Sequence, residues 1–157
     1  MSQTLIGRSS VHHLIDALKP RWGSIGDTPA ALNIAAPAAE EHVAAKLALC
    51  DLSALAKTGV KGPQAASWLK AQQLDVPQET YDVTALPDGG VMTKISSNEF
   101  VLESGIANQT VSAIKAALGS VQDGAYHTEQ QMATFFLSGV CAGEVLSQTC
   151  GVAFEKV

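Results

Sequence analysis

One spaced pattern occurs twice in the sequence and constrains the fold more than any other feature. A glycine, an alanine three positions later and a leucine four positions after that occur as Gly62, Ala65 and Leu69 and again as Gly139, Ala142 and Leu146. Both copies come after runs rich in β-forming residues, Thr58 to Val60 and Thr134 to Leu137. A β-rich run, a glycine and then apolar residues at helical spacing predict a strand, a turn and a helix. The sequence therefore predicts a duplicated strand-turn-helix unit.

The two copies differ in the segments on their C-terminal side. After the helix of the first copy, predicted for Gln64 to Gln73, the sequence predicts three strands and a further helix, at Tyr81 to Leu86, Val91 to Ile95, Glu99 to Glu103 and Ala107 to Leu118. After the helix of the second copy the sequence ends at Val157, which leaves half a repeat. We therefore expect either a shortened polypeptide or a neighbour that completes the sheet.

The N-terminal third predicts helices and a connector. A helix is expected at Ser9 to Lys19, because apolar residues recur at helical spacing and Pro20 ends the run. The glycine- and proline-containing stretch from Trp22 to Pro37 predicts an irregular connector, and Ala38 to Leu49 a second helix. A turn at Cys50 to Ser53 then leads into the first copy.

Strands and helices that alternate in this way predict an α+β fold with antiparallel strands and packed helices. The 157 residues match the usual size of one domain. We expect a single domain over 1–157, with N-terminal helices and connector in 1–50, a first strand-helix unit in 51–118 and a partial second unit in 119–157.

Composition excludes several functional classes. Ten basic residues against fifteen acidic ones give a net charge of −5, so no basic face for DNA or RNA is expected. Charged residues make up 16% of the chain, against about 25% in typical proteins, which favours a surface covered by permanent partners. No uninterrupted apolar run reaches the roughly 18 residues of a membrane span, and Met1 to Arg8 lacks a secretion signal. The expected location is the cytoplasm.

Several short motifs occur in a fixed order along the chain. They are Glu41-His42, Cys50-Asp51-Leu52-Ser53, Val60-Lys61-Gly62-Pro63-Gln64-Ala65 with Leu69, Tyr81 followed by Gly89-Gly90, and Leu137-Ser138-Gly139 with Leu146. Together they resemble the folate-binding domain of the glycine cleavage T-protein (aminomethyltransferase) superfamily, which includes the gamma subunits of sarcosine oxidases. The resemblance covers nearly the whole chain.

The resemblance implies a shortened T-protein-like folate-binding domain with tetrahydrofolate in a central cavity. The implied cofactor-binding residues are Tyr81, Gly89, Gly90, Glu103 and Asp51. The pair of aspartates that the family carries after Gly-Gly is replaced here by Thr93 and Lys94. An anion is needed there to stabilise developing positive charge, which a lysine opposes. Independent aminomethyl transfer is therefore disfavoured, and neither a catalytic residue nor a metal site is assigned to this chain.

The residues themselves leave structural alternatives open. A strand tyrosine such as Tyr81 often only packs, and an Asp-x-Ser sequence such as Asp51 to Ser53 often caps the backbone. His12 and His13 are adjacent and would point to different faces of a helix, which argues against a shared metal. The three cysteines lie in apolar runs and are expected to be reduced thiols.

The resulting functional expectation is an accessory, gamma-like subunit of an oxidative amine N-demethylating complex. Such a subunit would bind tetrahydrofolate, with a subunit interface as one place for the site, and capture the released one-carbon unit. Flavin or iron cofactors are expected only in the larger oxidoreductase subunits of the hetero-oligomer. The alternative is a non-catalytic structural subunit with a vestigial folate cavity.

Overall fold

Residues 7–107, 109–119 and 124–151 are described by a computed structural model. Over these ranges the elements are, in chain order, α1 His12–Asp16, β1 Arg21–Ile25, β2 Thr28–Asn33, α2 Pro37–Lys46, β3 Ala48–Asp51, β4 Lys57–Lys61, α3 Ala65–Ala71, β5 Val83–Ala85, β6 Val91–Ser96, β7 Glu99–Glu103, α4 Thr110–Leu118, β8 Tyr126–Thr128, β9 Phe135–Ser138 and α5 Ala142–Thr149. All strand pairs among them are antiparallel, which confirms the α+β class. None of the helices in these ranges is both long and apolar enough to cross a membrane.

The chain divides into two compact units. Unit 2 is the continuous stretch Leu55–Met132. Unit 1 consists of the chain segment on the N-terminal side of unit 2 together with the segment on its C-terminal side. Strand β8 lies at one edge of the unit 2 sheet. The assignment of the whole chain to one domain stays a prediction.

Unit 2 contains a five-stranded sheet in the order β5-β6-β7-β4-β8. Its core consists of apolar side chains from β4, β6 and β7 and from helices α3 and α4, together with residues of the connecting segments: Val60, Ala65, Leu69, Val76, Leu86, Met92, Phe100, Leu102, Val111, Ile114, Leu118 and Ala125. The predicted strands at 91–95 and 99–103 and the predicted helices at 64–73 and 107–118 are confirmed, with ends that differ by a few residues.

Unit 1 contains two separate two-stranded sheets, β1-β2 and β3-β9. The prediction of an irregular connector at Trp22 to Pro37 is wrong, because β1 and β2 form a hairpin there with Ile25 opposite Thr28. Gly26 and Asp27 form a two-residue turn, and Gly26 has φ of +56°. Pro29 is compatible with a two-stranded sheet, in which every strand is an edge strand.

Helix α2 is also shorter than predicted, since the chain leaves it after Lys46 and enters β3. Cys50 and Asp51 therefore lie in a strand rather than in the turn that the sequence predicted. Strand β3 pairs with β9, so residues separated by the whole of unit 2 form one sheet. A local sequence pattern cannot reveal this pairing, because its two halves are distant in the chain.

The duplicated unit is confirmed in atomic detail. In the first copy the Ala65 amide donates to the Gly62 carbonyl at 3.0 Å and the Gln64 amide to the Gly124 carbonyl at 2.9 Å. In the second copy the corresponding two bonds both measure 3.0 Å and join Ala142 to Gly139 and Cys141 to Lys46. Both turn glycines have positive φ, +125° at Gly62 and +102° at Gly139. The two copies therefore use the same turn, closed in each case by a carbonyl from a distant segment.

A buried hydroxyl lies in strand β4. The Thr58 side chain is fully buried, and its Oγ1 has no hydrogen-bond partner within the described ranges. Because an unsatisfied buried hydroxyl is costly, we expect Thr58→Val to raise the free energy of unfolding by about 1 kcal/mol. Urea denaturation of the two proteins measures the difference. A loss of stability would contradict it and indicate that the hydroxyl has a partner.

Candidate functional site

The Gly89-Gly90 turn is organised by the carboxylate of the residue before it, Asp88. Its Oδ1 accepts hydrogen bonds from the amides of Gly90 at 3.1 Å and Gly105 at 3.3 Å. Its Oδ2 accepts from Gln109 at 3.2 Å and from Thr110 at 3.0 Å, at the start of helix α4. One side chain thus joins the turn before β6 to the segment after β7 and caps a helix.

The pKa of Asp88 reflects these bonds. Burial alone would raise the pKa, but hydrogen bonds from the Thr110, Gly90 and Gly105 amides stabilise the anion and lower it below its ordinary value. Asp88 is therefore an ionised structural group, and its acceptor capacity is used by the backbone.

The two glycines of the turn have different surroundings. Gly90 is buried, and a Cβ there would lie 2.1 Å from the Glu103 carbonyl oxygen and 2.6 Å from the Gly105 amide. Gly89 is exposed, with open space where a Cβ would be. Of the five predicted cofactor-binding residues, the structure brings Gly89, Gly90 and Glu103 together.

The Glu103 side chain forms an ion pair across the sheet. Its Oε2 lies 3.3 Å from Nζ of Lys57, which is buried and also donates to the Leu55 carbonyl at 2.9 Å. Lys94, on the neighbouring strand β6, donates to the Gln78 carbonyl. Glu103 thus compensates a buried ammonium group, a role that the sequence did not predict.

We expect Glu103→Gln to lower the free energy of unfolding by about 2 kcal/mol, because Lys57 keeps a neutral acceptor but loses its counter-charge. The control is Glu99→Gln on the same strand, for which a change within about 0.5 kcal/mol is expected. Urea unfolding of both variants tests this. Equal losses of unfolding free energy in the two variants would contradict a stabilising role of the ion pair between Lys57 and Glu103.

Tyr81 is the third residue of a β-turn that begins at Glu79, in which the Asp82 amide donates to the Glu79 carbonyl at 3.2 Å. Its φ is +74°, in the left-handed region, where glycine is the usual residue at this position of a turn. Its amide donates to the Lys94 carbonyl at 2.7 Å, while the side chain is 77% exposed. Lys94 lies four positions after Gly90 along an extended strand, a distance of about 13 Å. Tyr81 therefore lies near the end of β6 that is farther from the Gly89-Gly90 turn.

Because the exposed ring buries little surface and the backbone is strained, Tyr81→Gly should leave the free energy of unfolding unchanged or raise it by up to about 1 kcal/mol. Chemical denaturation gives this value. A loss above about 1 kcal/mol would mean that the ring packs for stability, which is the structural alternative left open by the sequence.

Asp51, the fifth predicted residue, belongs to unit 1. Its Oδ1 accepts from the Ser53 amide at 3.0 Å, which is the backbone-capping role considered in the sequence. The Ser53 hydroxyl in turn accepts from the Thr134 amide at 3.1 Å. Asp51 also lines a small cleft with His12 and Trp22, whose rings lie 4.5 Å apart. Its assignment to folate binding stays a prediction.

Nucleophilic and metal-binding groups are sparse in the described ranges. No group of three or more His, Cys, Asp or Glu side chains is arranged there to hold a metal ion. The three cysteines are free thiols. Burial and the nearby carboxylates of Asp51 and Glu40 raise the pKa of Cys50, so its thiol is poorly suited to thiolate chemistry.

Comparison with known proteins identifies the fold. No family model matches the sequence, and no curated protein is significantly similar to it. Among solved structures, the glycine cleavage system aminomethyltransferase T from Bartonella henselae matches with a TM-score of 0.66 at 18% identity. The match covers 91% of this chain, so the T-protein-like fold is shown. The chain spans 43% of that neighbour.

Proposed function

We propose that this chain is an accessory subunit of an oxidative amine N-demethylating complex of the sarcosine oxidase type. In this role it contributes part of a tetrahydrofolate cavity that takes up the one-carbon unit released by amine oxidation. Flavin or iron cofactors belong to the larger partner subunits. The observation that carries the proposal is the T-protein-like fold, which matches over 91% of this chain, together with a lysine, Lys94, where the resemblance places an aspartate.

The residues at the expected position of the acid support an accessory role. Thr93 and Lys94 stand where the resemblance places aspartates, and the Lys94 ammonium is held by the Gln78 carbonyl. A fixed cation there opposes positive charge on a reacting amine. The partner subunit supplies the acid in this proposal, and this chain supplies binding surface.

Tyr81 supports the folate part of the proposal. The ring is 77% exposed and therefore contributes little to stability. An exposed ring can stack on a flat heterocycle such as a pterin. Tyr81 is therefore the residue of this chain that we assign to the folate.

The alternative is a purely structural subunit, and two specific observations favour it. Glu103 pairs with Lys57, and Asp51 holds a backbone turn, so two of the five predicted cofactor-binding residues have structural roles. In this alternative the partner complex binds no folate through this chain.

Purification of the complex from its native source, followed by equilibrium dialysis with tetrahydrofolate, separates the two functions. We expect flavin- or iron-containing subunits to co-purify and the complex to retain folate. In the complex, Tyr81→Leu should weaken folate binding about tenfold through the lost stacking surface. Tyr126→Leu, at another exposed tyrosine of unit 2, is the matched control and should leave binding unchanged. A complex that forms but binds no folate would support the structural alternative, and a chain purified without oxidoreductase subunits would overturn both.

A further inference from the structure

The Asp88 side chain is followed in the sequence by glycine, and this order makes an aspartate chemically reactive. The amide nitrogen of the next residue can attack the carboxyl carbon, and a glycine leaves the attack unhindered. A C–N bond forms, and the hydroxyl of the protonated carboxyl group leaves with the amide proton as water. The product is a succinimide ring. Addition of water reopens the ring at either carbonyl, and one of the two products is isoaspartate, whose backbone runs through the former side chain.

Sequence neighbours distinguish Asp88 among the first three aspartates of unit 2. Asp75 and Asp82 are each followed by valine, whose β-branched side chain crowds the amide nitrogen. Asp88 is followed by Gly89, which is exposed and has open space where a side chain would be. We therefore expect an unfolded chain to form the succinimide faster at Asp88 than at Asp75 or Asp82.

In the folded protein both carboxyl oxygens of Asp88 are held by the backbone. Oδ1 accepts from the amides of Gly90 and Gly105, and Oδ2 accepts from those of Gln109 and Thr110, at 3.0–3.3 Å. Whichever oxygen left as water, two amides would lose their acceptor. The same four bonds stabilise the carboxylate anion, whereas the reaction requires the protonated acid.

The attacking nitrogen is held as well. The Gly89 amide donates to the Leu86 carbonyl at 3.0 Å, and the Leu86 amide donates to the Gly90 carbonyl at 2.8 Å. Attack requires the Gly89 nitrogen to give up the proton that it shares with the Leu86 carbonyl. The folded turn therefore restrains both the carboxyl group and the nitrogen that would react with it.

The reaction product does not fit the folded turn. A Cβ at Gly105 would lie 1.9 Å from the Asp88 carbonyl oxygen, so the backbone at Asp88 packs closely against the segment after β7. Isoaspartate lengthens the backbone by one methylene group at this point and converts that carbonyl group into a free carboxylate. The original side-chain carboxyl group, which caps α4, becomes part of the backbone. Chains modified while unfolded therefore cannot rebuild the native turn.

We propose that Asp88 is a modification site that reacts only when its turn unfolds: the folded turn prevents the succinimide reaction, and an unfolded chain converts Asp88 into isoaspartate through attack by the Gly89 nitrogen. Water is the only other reactant. The modification marks chains that have been unfolded and keeps them from regaining the native turn. The inference is independent of folate and of partner subunits, because it depends only on residues of unit 2.

Incubation in oxygen-18 water at neutral pH tests the protection. The folded chain is compared with a synthetic peptide, Ala85 to Met92, which is too short to form a stable hairpin. Mass spectrometry locates the heavy oxygen that succinimide hydrolysis adds. We expect Asp88 to gain label at least about tenfold more slowly in the folded chain, because the turn must open before it reacts. Rates within about threefold of each other would overturn the proposal.

Two controls concern the chemistry of the unfolded state. The peptide with Gly89→Ala should gain label more slowly than the unchanged peptide, because a methyl group crowds the attacking nitrogen. In the full chain unfolded in urea, Asp88 should gain label faster than Asp75 and Asp82. An Asp88 that reacts no faster than these two aspartates would overturn the proposal.

Refolding tests the consequence of the modification. Full chains are incubated in urea and returned to buffer, and chains with isoaspartate at Asp88 are separated by chromatography from unmodified chains of the same incubation. The modified chains should unfold at a lower urea concentration, because the turn and the cap of α4 are lost. An unchanged urea midpoint would show that the native turn accommodates isoaspartate and would contradict the proposal.

Discussion

Gly62→Ala is expected to lower the free energy of unfolding by about 4 kcal/mol, more than any other substitution considered. A Cβ at this position would lie 2.2 Å from the Gly124 carbonyl oxygen, and φ is +125°. That carbonyl also accepts the Gln64 amide at 2.9 Å, so it cannot retreat without loss of the bond that closes the turn. Urea unfolding monitored by circular dichroism measures the change.

Gly89→Ala is the control for Gly62→Ala, because it tests the cost of backbone strain without a steric clash. Gly89 also has positive φ, +81°, but a Cβ there meets nothing within 4 Å. Strain alone should therefore cost about 1–2 kcal/mol. Similar losses for Gly62→Ala and Gly89→Ala would contradict the close contact with Gly124.

Asp88→Ala is expected to lower the free energy of unfolding by about 3 kcal/mol, because four backbone amides lose an ionised acceptor at once. Asp82→Ala is the matched control, since among the residues that the structure describes that exposed carboxylate accepts only from the Glu79 amide, at 3.2 Å. Its loss should be at most about 1 kcal/mol. A comparable effect of both substitutions in chemical denaturation would refute the special role of Asp88.

The lowered pKa of Asp88 gives this prediction a pH dependence. Because the folded-state pKa lies below the unfolded value of about 3.9, the stabilisation by Asp88 is fully present above pH about 4. It is lost as pH falls through the folded-state value. The stability difference between the native protein and Asp88→Ala should therefore be constant near neutrality and shrink in acid. A difference that grew on acidification would contradict the assignment.

The parts of the fold that the sequence predicted correctly depend on local patterns. The strand-glycine-helix units were recognisable because a turn glycine and core residues have fixed spacing in each copy. The hairpin of β1 and β2 was missed because Gly23 and Pro29 interrupt the alternation expected of a strand, although Gly26-Asp27 is a suitable two-residue turn. Strand β8 was missed as well, since it has three residues and pairs with β4 far away in the sequence.

The candidate site was predicted less completely than the fold. The Gly89-Gly90 pair was recognised between two predicted strands, but no role was predicted for Asp88. Its bonds to Gln109 and Thr110 depend on how the chain returns after β7, which spacing does not encode. The pairing of Glu103 with Lys57 likewise results from the strand order β7-β4 and not from either local sequence.

The division of the chain also has a consequence for the order in which the protein forms during synthesis. Unit 2 is continuous, so its sheet can close once the ribosome has released Met132. Strand β3 is synthesised early, but its partner β9 follows more than eighty residues later, so β3 stays unpaired until then. We expect unit 2 of ribosome-bound chains to become resistant to protease at a shorter chain length than β3 does. Strand β3 is therefore accessible to chaperones during translation.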